Sequence, residues 1–254
     1  MTTVEDSYSG PLNIGRVIQQ TFAIIGRRPV IILGLAFVLA GIPSAAHLYL
    51  TEHALSRGLV LLSGGYWFGT LVSMFISAFL EAALLLVAFG EIAGRPIGVN
   101  AALASALKFF LPLFAVNFLS VLGIIAGCIL LVVPGIILAV LWCVAGPTLV
   151  VERCSITEVF GRSVRLTHGH RWSIFGLFVI YVVAFAILES AAMPFPAMWG
   201  GGLEDIIFSP ARAIGGAIIS ALAAGVGGVG VAVLYTELRR LNGGWSTDQL
   251  SGLA

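Results

Sequence analysis

Charge is what this chain has least of. Of 254 residues, 13 are Lys or Arg and 12 are Asp or Glu, 10% in all against 59% hydrophobic. Soluble domains carry about a quarter charged residues, so the shortage excludes a soluble fold. A net charge of +1 leaves no clustered basic surface for a nucleic acid. Cysteine is scarce as well: Cys128, Cys143 and Cys154 show no CxxC or metal spacing, and an odd number builds no disulfide framework. Cys128 and Cys143 fall in apolar runs, where a thiol packs as a small hydrophobe. The opening MTTVEDSYSG lacks the basic and apolar regions of a signal peptide. Insertion is therefore expected to start at the first span. No P-loop, HExxH, GxSxG or dinucleotide fingerprint occurs in a usable context. His168 and His170 stand two apart with no acidic or cysteine ligand beside them, so neither a metal nor a cofactor is expected.

What the chain has in quantity is uncharged length. At about 20 apolar residues per span, the runs predict six transmembrane helices, over 29–50, 65–89, 109–132, 134–151, 172–193 and 213–234. The third and fourth share one uncharged run, 109–151. As a single helix it would measure about 65 Å, twice the hydrocarbon thickness. The chain must turn back, and Val133-Pro134-Gly135 is the expected place, with proline in the first turn of the new helix. The fold class is thus all-α, a polytopic membrane helix bundle. One domain over 13–241 lies between a disordered tail, 1–12, and a flexible one, 242–254.

Lys and Arg fix the direction. Arg16, Arg27, Arg28, Arg95, Lys108, Arg153, Arg162, Arg165, Arg171, Arg239 and Arg240 fall on one side, and only Arg57 and Arg212 on the other. Positive residues mark the cytoplasmic side, which places both termini there. Tyr66, Trp67, Trp172 and Trp199 fall near the predicted interfaces.

Between spans the basic side carries segments with helical periodicity. In 13–28, Ile14, Val17, Ile18, Phe22 and Ile25 oppose Arg16, Gln19 and Gln20, the pattern of an interfacial amphipathic helix. In 100–110, Leu103, Leu107 and Phe110 oppose Ser105 and Lys108. The charged island 152–171 has the strongest version. Ser155 and Glu158 read as a capping box, Ile156, Val159, Phe160 and Val164 as its apolar stripe, and Glu158 with Arg162 as an i,i+4 pair. Each segment precedes a two-span hairpin, which gives a threefold helix-plus-hairpin pattern. Arg162, Arg165 and Arg171 are candidate contacts for anionic lipid headgroups or a partner, each basic residue contributing about 1 kcal/mol near an anionic leaflet.

An ionisable residue inside the membrane is a functional candidate. Glu81 ends a polar face of Thr70, Ser73 and Ser77 on the second span, a face expected to look inward. Counted at 1.5 Å per residue from the cytoplasmic ends, Glu81 and Asn117 both lie roughly 12 Å deep, so a contact between them is expected. A protonated Glu81 bonded to Asn117 would glue the spans together; a proton- or ligand-handling site is the alternative. Pro43 and Pro147 are expected to kink their helices. Gly216, Ser220, Ala224 and Gly228 predict close approach along the sixth span, within the molecule before dimerisation. Glu189 is expected to pair with Arg212, and 194–211 to fold back on the outer face with a short helix near 203–208.

Five stretches carry a family likeness. They are Pro134-Gly135-Ile136-Ile137-Leu138, the Gly146-Pro147 region, Val151-Glu152-Arg153, the run from Gly161-Arg162-Ser163 to His170-Arg171-Trp172, and the ending Leu234-Tyr235-Thr236-Glu237-Leu238-Arg239-Arg240. They resemble the membrane domain of some bacterial glycerophosphoryl diester phosphodiesterases and of related stand-alone six-span proteins of unknown function. The resemblance implies a six-helix membrane module. The enzymes' soluble catalytic barrel has no room in 254 residues, and His170-Arg171 lacks acidic partners, so hydrolysis is not carried over.

The expected function is a non-enzymatic scaffold or auxiliary module in membrane or lipid homeostasis, in the bacterial cytoplasmic membrane. Its expected partners are lipids, anionic headgroups among them, and other membrane proteins. The alternative is a small transporter or channel-like protein using Glu81.

Overall fold

A computed structural model describes residues 12–55, 64–192 and 210–243, without side chains at 49–55, 192 and 210–213. Among the described residues there is no strand. Six helices are long and apolar enough to cross a membrane: Pro29–Leu48, Gly64–Ile92, Val99–Leu130, Val132–Glu152, Arg171–Ala191 and Ile214–Leu241. The chain is an all-α, multi-pass integral membrane protein. Most of both tails, all but the last two residues of the 194–211 connection and the side chain of Arg212 lie outside the described residues, and with them the Glu189 pairing.

Helix α1 (Ile14–Arg27) begins at Asn13, whose side chain accepts the Arg16 N–H at 3.1 Å. It buries Val17, Thr21, Ile24 and Ile25. The first span then runs through α2 (Pro29–Ala36), a π-helical turn (Phe37–Gly41) and α3 (Ile42–Leu55). Pro43 has no N–H to return to the preceding turn, and the ladder widens just ahead of it, Ile42 N–H reaching Phe37. The expected kink is this wide turn. It brings Gly41 so near the last helix that a Cβ there would lie 2.8 Å from the Ala217 carbonyl.

Helix α4 (Gly64–Ile92) is the axis of the bundle, with every residue from Ala82 to Gly90 buried. α5 (Val99–Leu130) packs along it. The separate interfacial helix expected over 100–110 does not form, since that segment is the first part of α5. Pro112 removes one ladder bond, but a proline costs a helix a bond and some straightness without necessarily ending it. The threefold pattern therefore reduces to two separate helices, α1 and α8 (Ile156–Leu166).

The hairpin from α5 to α6 (Val132–Trp142) turns at Leu131, two residues earlier than expected. Pro134 still falls within the first helical turn, where N–H groups lack acceptors anyway. Gly135 lets the two helices close, for a Cβ on it would lie 2.9 Å from the Cys128 nitrogen and 3.0 Å from the Ile124 carbonyl. The fourth span then breaks at Cys143 and Val144 and resumes as α7 (Ala145–Glu152). Pro147 explains the break, because it offers no N–H to the Cys143 carbonyl four residues back.

α9 (Arg171–Ala192) lies at the rim, only 6% of its apolar window buried against 50% for α4. α10 (Pro210–Leu241) packs on α1, the first span, α4 and α9. Its glycines serve these contacts within the molecule: a Cβ on Gly228 would meet Leu84 at 2.8 Å and one on Gly227 the Tyr181 hydroxyl at 3.1 Å. Gly216, by contrast, has open space.

Candidate functional site

Glu81 on α4 and Asn117 on α5 meet as depth arithmetic predicts. The Asn117 Nδ2 donates to Glu81 Oε2 at 2.5 Å. The other carboxylate oxygen lies over Gly146 of α7, where any Cβ would overlap it, and the buried Leu113 side chain closes the same spot. Three spans thus converge on one carboxylate. Its position beside the first turn of α7 sets it near the partial positive charge of a helix start.

The rest of the predicted polar face does not join it. Ser73 is half-buried and Ser77 is exposed. Thr70 donates to the Tyr66 carbonyl at 2.9 Å and meets His47 Nε2 at 3.1 Å. The break in the fourth span supplies the reason. α7 packs on α4, while α6 turns away to α5, α8 and α9, so the half-buried Glu81 reaches α7 and Ser77, one turn further out, is exposed.

The break is held from the basic end. Ser163 of α8, fully buried, donates its hydroxyl to the Leu141 carbonyl at 2.7 Å, an acceptor that the interrupted ladder leaves over. Thr148 donates to the Val144 carbonyl at 2.7 Å. Trp142 and Phe160 stack edge to face with centroids 4.9 Å apart, and Asn242 donates to the Leu166 carbonyl at 3.2 Å. Helix α8 is therefore docked on the broken span rather than lying free.

Three carboxylates organise the arginine-rich end. Glu152 Oε1 accepts from Arg239 Nη1 at 2.9 Å and from the Tyr235 hydroxyl at 3.2 Å, and Oε2 accepts from Arg162 Nε at 2.5 Å. Glu237 accepts from Arg16 at 3.2 Å and from Arg240 at 2.9 Å. Glu91 pairs with Arg28 at 2.8 Å, and Arg28 also donates to the Ile97 carbonyl at 3.2 Å. The expected Glu158–Arg162 pair is not formed. Glu158 Oε2 accepts the Ser155 N–H at 3.1 Å and the Ser155 hydroxyl at 2.8 Å, so the carboxylate is drawn to the cap and Arg162 turns back to Glu152.

Titration follows these partners. The two bonds from Ser155 hold the Glu158 carboxyl below its ordinary value. The bond to Glu152 raises the Arg162 guanidinium further. Loss of hydration, then the nearby Glu152 charge, pushes the Cys154 thiol up, which keeps it protonated and a poor nucleophile. Between α7 and α8, Arg153 is the left-handed residue ending α7, at φ 49° and ψ 34°. Its guanidinium stands 5.9 Å from the Phe109 ring centroid.

Of the three predicted headgroup contacts, Arg162 is committed to Glu152, while Arg165 and Arg171 are exposed. Sequence reasoning missed Glu91, Glu152 and Glu237 as nodes. A signal existed: each sits at the end of a span on the side holding eleven of thirteen basic residues. Among the described residues, no group of three His, Cys, Asp or Glu is placed to hold a metal ion. Compared with family models, curated proteins and solved structures, the chain matches none.

Proposed function

We propose that the protein is a non-enzymatic scaffold or auxiliary module for lipids or other membrane proteins in the bacterial cytoplasmic membrane, with both termini cytoplasmic. The observation that carries this reading is the way the half-buried Glu81 is held between three spans. Its carboxylate is occupied by Asn117 on one oxygen and covered by Gly146 on the other, which is how packing glue behaves. The docked α8 then presents Arg165, with Arg171 and the 86%-exposed Trp172 following it. Cations beside an indole suit an anionic headgroup layer, and a role in lipid homeostasis agrees with the resemblance carried by the island. Replacing Arg165 and Arg171 together by Glu, followed by native mass spectrometry from phosphatidylglycerol-containing nanodiscs, tests the reading. Retained phosphatidylglycerol should fall; undiminished retention would sink it.

One observation favours transport as a second reading. The fourth span is interrupted beside Glu81, and transporters build ion and substrate sites at such discontinuities. Proton flux into proteoliposomes that Glu81→Gln abolishes would establish it, and flux equal to empty vesicles would remove it.

A further inference from the structure

The turn joining α4 to α5 holds a groove that neither reading uses. Its volume is about 330 Å³, and Arg95, Pro96, Ile97, Gly98, Ala101 and Ser105 line it. The walls are fixed. The Arg95 N–H closes α4 on the Gly90 carbonyl at 2.9 Å, and Arg28 holds the Ile97 carbonyl at 3.2 Å. Gly90 is needed for this fold-back, because a Cβ there would lie 2.9 Å from Ile97 Cγ1.

Charge at the groove is unbalanced. Glu91, the nearest acid in the chain, is taken by Arg28. Arg95 is exposed at the rim, and Lys108 is exposed on α5 one turn beyond Ser105, hence on the same helix face. Neither forms an ion pair among the described residues. Leu111, three residues beyond Lys108 and so its neighbour on the helix surface, is 61% exposed. The groove lies where one span ends at Ile92 and the next starts at Val99, the level at which lipid phosphates sit.

We propose that this groove binds the headgroup of one anionic glycerophospholipid. Arg95 forks onto the phosphate, which its guanidinium geometry suits. Lys108 supplies the second cation and Ser105 a hydroxyl, while an acyl chain passes Leu111. A volume near 330 Å³ lies at the small end of ligand pockets and fits a phosphate with its glycerol, the tails staying in the bilayer. The site is separate from Arg165 and Arg171 and stands without them.

The test is titration of delipidated full-length protein with phosphatidylglycerol, read by native mass spectrometry. Arg95→Gln with Lys108→Gln should remove one bound lipid and weaken binding by on the order of tenfold or more. Ala101→Leu, which fills the groove without altering charge, should remove the same lipid. The control pair Arg165→Gln with Arg171→Gln should leave it. Unchanged lipid binding in the first two variants would overturn the site. So would displacement of the lipid by soluble glycerol 3-phosphate at equal concentration, since the ligand would then be a free phosphate compound. A fall only in the control pair would support the earlier reading and reject this one.

Discussion

Glu81 and Glu152 stand at opposite ends of α7 and are satisfied in opposite ways. One touches the start of that half-helix at Gly146, and the other is its last residue, roughly 9 Å apart along the axis. Glu81 has a neutral amide as its hydrogen-bonded partner, while Glu152 gathers two arginines and a tyrosine. The difference follows depth. A cation carried deep into the hydrocarbon would cost several kcal/mol, whereas an amide satisfies a carboxyl there without bringing in a second charge. At the boundary an arginine lays its stem along apolar surface and keeps its head near water. Arg162 does so, 44% exposed, and Arg239, 9% exposed, is accommodated because Glu152 meets it. The same half-helix is thus anchored by neutral packing inside and by charge outside.

The sharpest way to break this comparison is Glu152→Ala. Removing the acid leaves Arg239 buried beside a vacant partner position and frees Arg162, a loss of about 3 kcal/mol or more. Thermal unfolding of the detergent-purified protein should show a larger Tm drop than any change at Glu81, Ser163 or Glu158. A smaller drop than for Glu81→Ala would reverse the ranking of the two ends.

Glu81→Ala comes next. It leaves the Asn117 amide unpaired and opens a cavity over Gly146, together about 2 kcal/mol. Glu81→Gln keeps a hydrogen-bonding group of the same size and should stay within about 1 kcal/mol of the native protein. If Gln destabilises as much as Ala, the carboxyl is more than packing glue. Ser163→Ala ranks below both. It deprives the Leu141 carbonyl of its donor and should lower stability by about 1 kcal/mol. It should also raise proteolysis between α7 and α8 if α8 clamps the break.

How much of this was legible depended on whether local pattern or tertiary arrangement decided the outcome. Six spans could be read because apolar length is a property of the chain alone, and the Glu81–Asn117 contact because depth on neighbouring spans is simple arithmetic. The cap at Ser155 was readable for the same local reason. Ser77 was misplaced because its cover depends on where α6 departs from α4, which the sequence marks only indirectly through Pro147. The Arg162 partner was missed because i,i+4 counting compares residues on one helix, while Glu152 lies across a turn. Residues 100–110 carried an interfacial pattern, yet nothing in that pattern says whether the helix pauses before entering the span.

The smallest effect isolates a carboxylate that belongs to neither anchor. Glu158 is exposed, and its carboxyl is held below the ordinary value by the two bonds from Ser155. A lowered folded-state value means the cap contributes fully above the unfolded carboxyl value, about 4.3. That contribution is lost as pH falls through the lower folded value. Hydrogen exchange of the first-turn amides of α8, expressed as protection relative to an unstructured chain, should therefore be flat from pH 7 to about 5 and decline below about 4.3. In Glu158→Gln the protection should start lower and lose this pH dependence. The buried Ser163 and the Glu152 contacts would still hold the rest of α8 in both proteins. A decline of equal size in the Gln variant would move the titrating group away from the cap.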